Sequence, residues 1–254
     1  GVRAMKRFLI SGLAALGLVT IAAPATADIQ WRVFELRRQQ CFNSGNAFTP
    51  EQSIRGCSDV ISMRSVTGDG RAQAFKLRGD RYRELRDYDQ AIADYTQVIR
   101  MRGDHPGAYY RRSEAYLAQG QYELAMSDAD HVVSIASDTP GGYRVRCEIR
   151  VAQNIELDIA RADCNQALTI NTIDTAALSA RGVLNLRANQ NQEAWSDFDA
   201  AIFNGRQNAQ TLYGRGIAGH RLGRVREARA DIEAAERLQS EISATFASYG
   251  VTAP

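Results

Sequence analysis

Lysine is almost missing from this sequence: of 31 basic residues, 29 are arginine, leaving only Lys6 and Lys76. Such a bias follows genome composition as readily as function, and it points to no ligand. Proline is scarce too, with 5 in 254 residues, and alternating β-branched runs are absent, which leans the chain towards helix. Histidine is scarcer still: His105, His131 and His220 are too few and too scattered for a metal site or a triad. No G-x-S-x-G, P-loop or H-E-x-x-H pattern occurs. Gly68-Asp69-Gly70 follows no strand, so it reads as a turn and not as a phosphate loop. No catalytic residue, metal ligand or cofactor is therefore assigned, and an enzyme is not expected.

At 44% hydrophobic and 24% charged residues the chain is neither disordered nor a bundle of membrane spans. Its one apolar run lies at the start. Lys6 and Arg7 precede an apolar stretch from Phe8 to Ala23, and Ala25-Thr26-Ala27 follows as a small-x-small cleavage site. This is the pattern of a cleavable signal peptide over residues 1–27, with Met5 as the start. The stretch is short for a bilayer span, so no stable membrane insertion is expected after cleavage. No Cys follows it, which argues against a lipoprotein. Cleavage removes Arg3, Lys6 and Arg7 and no acid, leaving 28 basic and 29 acidic residues, a net charge of −1. The basicity of the full chain then vanishes, and with it the case for nucleic acid.

What is present is a repeat. Ala-x-x-Asp recurs as Ala91/Asp94, Ala125/Asp128, Ala160/Asp163, Ala194/Asp197 and Ala228/Asp231, at steps of 34, 35, 34 and 34 residues. An arginine followed by a small residue precedes each: Arg78-Gly79, Arg112-Ser113, Arg146-Cys147, Arg181-Gly182 and Arg215-Gly216. The small residue and the later Ala-x-x-x-aromatic, clearest as Gly79, Tyr82, Ala91 and Tyr95, resemble the tetratricopeptide repeat (TPR), whose unit is about 34 residues. Ala129 and Cys164 depart from the aromatic, and Arg150, Asn185 and Gly219 from the tyrosine. The resemblance covers roughly residues 70–238 and implies pairs of antiparallel helices that bury their apolar faces only by stacking on neighbours. The extra residue of the 35-step falls in the turn near Ala152 to Asp158. Recurrence of the Arg and Asp once per unit reads as a structural ladder, since chemistry needs one site and a solenoid needs the same joint repeatedly.

The four cysteines fall in register with this repeat. The small residue and the aromatic lie 16 apart in Gly79/Tyr95 and Gly182/Phe198, and Cys147/Cys164 occupy the same slots with the insertion between them. Cys41 and Cys57 are also 16 apart, which marks an earlier, degenerate hairpin. Thr49-Pro50-Glu51-Gln52 carries the N-cap, first-turn proline and capping-box glutamine of its second helix. Residues 65–70 read as the turn that follows it. Because the two slots face each other across a TPR hairpin, the resemblance implies disulfides Cys41–Cys57 and Cys147–Cys164, as an exported protein permits. Zinc ligation and a redox-active pair fit the spacing less well.

In the TPR family ligands lie along the concave surface lined by the first helix of each unit. Positions three before, one after and four after the small residue share that face. They are Lys76, Asp80 and Arg83; Tyr110, Glu114 and Leu117; Arg144, Glu148 and Val151; Ser179, Val183 and Leu186; and Tyr213, Ile217 and His220. The groove runs from charged to apolar. A cation followed four residues later by Asn, as in the carboxylate clamp of chaperone-binding members, is absent. Ser240 is expected to cap a short helix carrying Ile242, Phe246 and Tyr249 that packs on the end of the stack, the alternative being that it covers the groove.

The expected architecture is all-α: a TPR solenoid of about six hairpins in a right-handed superhelix. Its parts are residues 1–27 (signal peptide), 28–66 (disulfide-stapled first hairpin), 67–238 (five repeats) and 239–254 (capping helix and tail). The layout resembles TPR proteins of alphaproteobacterial envelopes and implies a periplasmic scaffold in a Gram-negative bacterium that binds a protein or peptide. A structural or oligomerising solenoid, and an accessory subunit of an envelope enzyme, are the alternatives.

Overall fold

The structure, a computed structural model, describes residues 25–252, so the apolar segment Phe8–Ala23 lies outside the described residues. Among them there are thirteen α-helices and no strand. They pair as α1 (Ala25–Phe42) with α2 (Pro50–Ser62), α3 (Gly68–Glu84) with α4 (Tyr88–Arg102), and α5 (Pro106–Ala118) with α6 (Tyr122–Ile135). The series continues with α7 (Pro140–Gln153) and α8 (Leu157–Ile170), α9 (Thr175–Arg187) and α10 (Asn191–Phe203), and α11 (Ala209–Arg221) and α12 (Val225–Leu238). A short α13 (Ile242–Ser248) follows the last hairpin. Each hairpin packs on the next, and first helices also touch across units, as α5 with α7 and α7 with α9.

Local signals set the helix ends. Thr49 caps α2 in a full capping box, with Gln52 Oε1 accepting from the Thr49 amide at 2.8 Å and Pro50 in the first turn. Asp174 caps α9 and Asn208 caps α11. Two local expectations need correction. Gly68–Gly70 are not turn but the first turn of α3, with Asp69 at the positive helix end. The preceding bend is tied by Arg71, which donates to the carbonyls of Met63 and Val66 at 3.2 Å. Ser240 does not cap α13; Glu241 stands at the cap, with no side-chain bond to the helix.

The repeat slots behave as close-approach points. A Cβ built on Gly79 would lie 2.9 Å from Tyr95, and one on Gly182 would lie 2.8 Å from Phe198, so each glycine admits the ring opposite it. In two hairpins these slots are covalent: Cys41–Cys57 with Cα atoms 4.4 Å apart, and Cys147–Cys164 at 5.4 Å. First helices close on a left-handed residue seven positions after the small slot: Arg86, Gly120, Asn154, Asn189 and Gly223. The inserted residue follows Asn154, where Glu156 is a second left-handed residue and the turn absorbs the extra length.

The arginine ladder joins the units. Arg112 donates from Nε and Nη2 to both oxygens of Asp128, at 2.7 and 2.8 Å, and Arg78, Arg146, Arg181 and Arg215 fork in the same way onto Asp94, Asp163, Asp197 and Asp231. These forks lie within a unit. The remaining nitrogen, Nη1, reaches back to the preceding unit: Thr96, Asp130, Asn165 and Asp199 accept it, each two residues after a ladder aspartate. Arg78 makes the same bond to Ser58 at 2.8 Å. Ser58 therefore occupies that slot in the first hairpin, which puts α1–α2 in register with the repeats. There the ladder pair is replaced by Gln40 and Gly56, whose built Cβ would sit 2.6 Å from the Gln40 side chain.

Candidate functional site

The first helices bring the predicted groove residues along one face, but the two halves have different fates. In the N-terminal half the side chains form a connected ionic lattice. On α3, Lys76 pairs with Asp80 at 2.9 Å, and Asp80 also accepts from the Tyr95 hydroxyl at 2.8 Å. Glu114 on α5 is the hub. Arg144 reaches it at 2.6 Å, Arg111 at 2.9 Å and Arg83 at 3.7 Å, while the Tyr110 hydroxyl donates to it at 3.0 Å. Arg144 continues to Glu148 at 2.8 Å and to Asp174 at 3.7 Å. The guanidinium groups of Arg111 and Arg144 lie 5.3 and 5.2 Å from the Tyr110 ring centroid.

This lattice sets its own titration. Burial opposes the charge on Glu114 and is the largest single influence, yet Arg144, Arg83 and Arg111 together hold its carboxyl below the usual value. Burial also works against the Arg144 cation, but Glu148, Tyr110, Glu114 and Asp174 raise its pKa well above the ordinary arginine value. Burial raises the Tyr110 hydroxyl, so it stays a neutral donor.

The C-terminal half is not an open groove. Val183, Leu186, Tyr213 and Ile217, with Val151 of α7, are buried in one cluster with Ile242, Phe246 and Val251, while Ser179, also buried, borders the cleft. α13 packs against both helices of the last hairpin, α11 and α12. The chain leaves α12, turns into α13, and carries the residues after it back towards the first helices, where Tyr249 borders the same space as Leu117, Tyr122 and Ser179. Tyr213 and Phe246 stack with centroids 5.0 Å apart, and Tyr249 follows Phe246 at 5.7 Å. Arg221 fastens the segment beyond α13, donating to the Thr252 carbonyl at 3.3 Å and to that of Leu186 at 2.8 Å. The physical reason is area: four large apolar side chains side by side bury favourably against any apolar strip within reach. Of the predicted fifteen, His220 is exposed and lies outside this seat.

What remains open is a cleft between the lattice and the folded-back tail. One part, about 280 Å³, is bordered by Arg83, Tyr88, Glu114, Arg144 and Arg206. The adjoining part, about 220 Å³, shares Leu117, Glu148 and Arg206 and is closed by Tyr122 and Tyr249. Sequence reasoning missed Arg111, Arg206 and Tyr249. Arg111 lies two residues before Ser113, off the chosen face, and reaches it through its long stem. Arg206 enters from the turn between α10 and α11, where helical periodicity has no meaning. Only the spacing Phe246–Tyr249 hinted at the third. Among the described residues no group of His, Cys, Asp and Glu is placed to hold a metal ion.

A stack of helical hairpins joined by one recurring interface, with a concave face of first helices, defines an α-solenoid with an interaction groove. The chain is a tetratricopeptide-repeat protein: the tetratricopeptide repeat family matches residues 76–137 and 179–241. The unmatched stretch between them carries the inserted residue and the Cys147–Cys164 bridge. Among solved structures the chain is similar to a tetratricopeptide repeat protein from Parabacteroides merdae, with 16% identity, 90% of this chain and 86% of that one covered, and a TM-score of 0.59. A thermophilic TPR protein of Thermus thermophilus matches at 18% identity, over 70% of this chain and 97% of that one, with a TM-score of 0.56. Cut9-Hcn1 of the APC/C matches at 14% identity, over 85% of this chain and 44% of that one, with a TM-score of 0.64. At such identities the likeness is one of fold. No curated protein matches the chain.

Proposed function

We propose that this protein is an exported, non-catalytic scaffold that binds a segment of another protein or a peptide in the open half of its concave cleft. The observation that carries the reading is the asymmetry of the groove. Its apolar half is filled by the chain's own tail, while Arg83, Glu114, Leu117, Arg144 and Glu148 border the space that remains. Polar side chains held rigid by mutual ion pairs lose little freedom when a ligand docks. Two disulfides in hairpin slots support an oxidising compartment such as the periplasm, as does the signal-peptide pattern of residues 1–27. No described helix is long and apolar enough to cross a membrane.

A photo-crosslinking residue at Leu117, with the exposed Arg229 on α12 as control, tests the reading in intact cells. A discrete adduct from Leu117 and none from Arg229 is expected; identical adducts from both, or none from Leu117, would sink the cleft as the binding site.

A second reading, an oligomerising solenoid with no groove ligand, draws on the exposed Trp31, Leu36 and Phe42 of α1. Light scattering of the full chain separates the two, since a concentration-independent monomer excludes it.

A further inference from the structure

Arg206 stands apart from the other cations of the cleft. Arg83, Arg111 and Arg144 each face a carboxylate, whereas the Arg206 side chain makes no hydrogen bond or ion pair among the described residues, and its Nε is buried without an acceptor. Arg83 has the same orphaned Nε, and its one ion-pair partner among the described residues, Glu114, is 3.7 Å away and already held by two closer arginines. Both side chains border the same part of the cleft, about 280 Å³ in volume. A half-buried guanidinium with unused donors carries a desolvation cost that an anionic acceptor relieves. The space beside it is too polar for an apolar anchor, while Tyr88 and Leu117 leave a rim on which a side-chain stem can lie.

We propose that Arg206, with Arg83 opposite, forms a subsite for one carboxylate of an acidic peptide side chain, so that the cleft selects segments carrying Asp or Glu at a fixed position. The inference rests on the cleft being the binding site. The geometry suits a planar two-oxygen acceptor, since a guanidinium presents paired N–H donors to it. Glu148, which borders the same space, sets the selectivity from the other side: it repels a carboxylate placed too far towards α7 and so fixes the position along the segment.

The test pans phage-displayed random dodecapeptides against the full chain and against an Arg206→Gln variant. The enriched consensus is then synthesised, with its acid and with the amide in place of the acid. Binding is measured by fluorescence anisotropy against wild type, Arg206→Gln and Arg206→Lys. Arg206 makes no side-chain hydrogen bond or ion pair among the described residues, so the variants are expected to melt with the wild type. The expected result is an acid at one fixed position and a loss of about tenfold or more on replacing it by the amide. The same replacement should change binding to Arg206→Gln by less than twofold, with Arg206→Lys intermediate. A consensus without an acid, or an amide peptide that binds wild type equally well, overturns the carboxylate subsite and leaves the cleft reading standing. Failure to enrich any peptide whose binding is lost in a cleft-blocking Leu117→Arg variant defeats the cleft reading itself, and the subsite falls with it.

Discussion

Phe246, the central side chain of the last helix, lies on Tyr213 with ring centroids 5.0 Å apart and planes 56° from parallel, and both rings are fully buried. A segment 33 residues further along the chain thus completes the core of the last repeats, with Ile242 and Val251 on either side. Phe246→Ala should cost about 3–5 kcal/mol, because a buried ring is removed from a site that cannot collapse. Urea melts read this directly. A truncation at Gln239 should also bind a hydrophobic dye that the intact chain does not, since Leu186 and Ile217 lose their cover. A truncated chain as stable and as dye-silent as the full one would show that the tail is not seated there.

Asp128 takes both fork nitrogens of Arg112 while Arg112 also holds Thr96 of the unit before. Asp128→Ala leaves a mostly buried guanidinium without its acceptor, a change that costs about 3 kcal/mol or more. In a stack coupled only to nearest neighbours the damage stays local. Hydrogen exchange should rise in α5, α6 and α4 and leave α11 and α12 protected. Uniform loosening of the whole chain would contradict the ladder as a joint between adjacent units.

Each disulfide closes a loop of 16 or 17 residues, worth about 3 kcal/mol through the chain entropy it removes from the unfolded state. Cys147→Ser with Cys164→Ser should lower stability by roughly that amount and split the melt, because the weakened unit sits mid-stack. Cys41→Ser with Cys57→Ser acts at the stack's edge, so fraying of α1 and α2 ahead of the rest is expected, seen as early exchange of those helices. Non-reducing peptide mapping checks both pairings.

Glu114 gives the cleft a pH signature. Its folded pKa lies below the ordinary value of 4.5, so the stabilisation is fully present above about pH 4.5 and drains as pH falls through the lower folded value. Denaturant midpoints measured from pH 7 down to pH 3 should fall on the acid side. Glu114→Gln should be less stable at neutral pH, leaving Arg83, Arg111 and Arg144 to repel one another, and its acid decline should be shallower. Parallel curves for the two proteins would rule out Glu114 as the hub.

Much of the fold was legible because a solenoid repeats its own evidence in sequence. The spacing of Arg and Asp, the small residue against the ring at Gly79/Tyr95, and the capping box at Thr49 are local or nearly so, and each reappears in the structure in its expected role. The first hairpin was readable from the spacing of Cys41 and Cys57 and the capping box at Thr49, and Ser58 accepting from Arg78 shows that register in space. The groove was legible by face but not by exposure. Arg83, Glu114, Leu117, Arg144, Glu148 and Val151 border the cleft, while Val183, Leu186, Tyr213 and Ile217 are buried in one cluster with the tail, whose path no periodicity encodes.

The sequence by itself determined the unit: its length of about 34 residues, its two helices, the cysteines that staple two copies, and the arginine that recurs in each. These depend on interactions within one hairpin or between adjacent ones, which the repeat period records. Only the tertiary structure decided what the stack leaves uncovered. The stacking of the units brings Arg206 and Arg83 to the same cleft, and the tail folds back where the apolar area lies. Both bring together residues far apart in the chain, set by the summed geometry of several interfaces and not by any one of them.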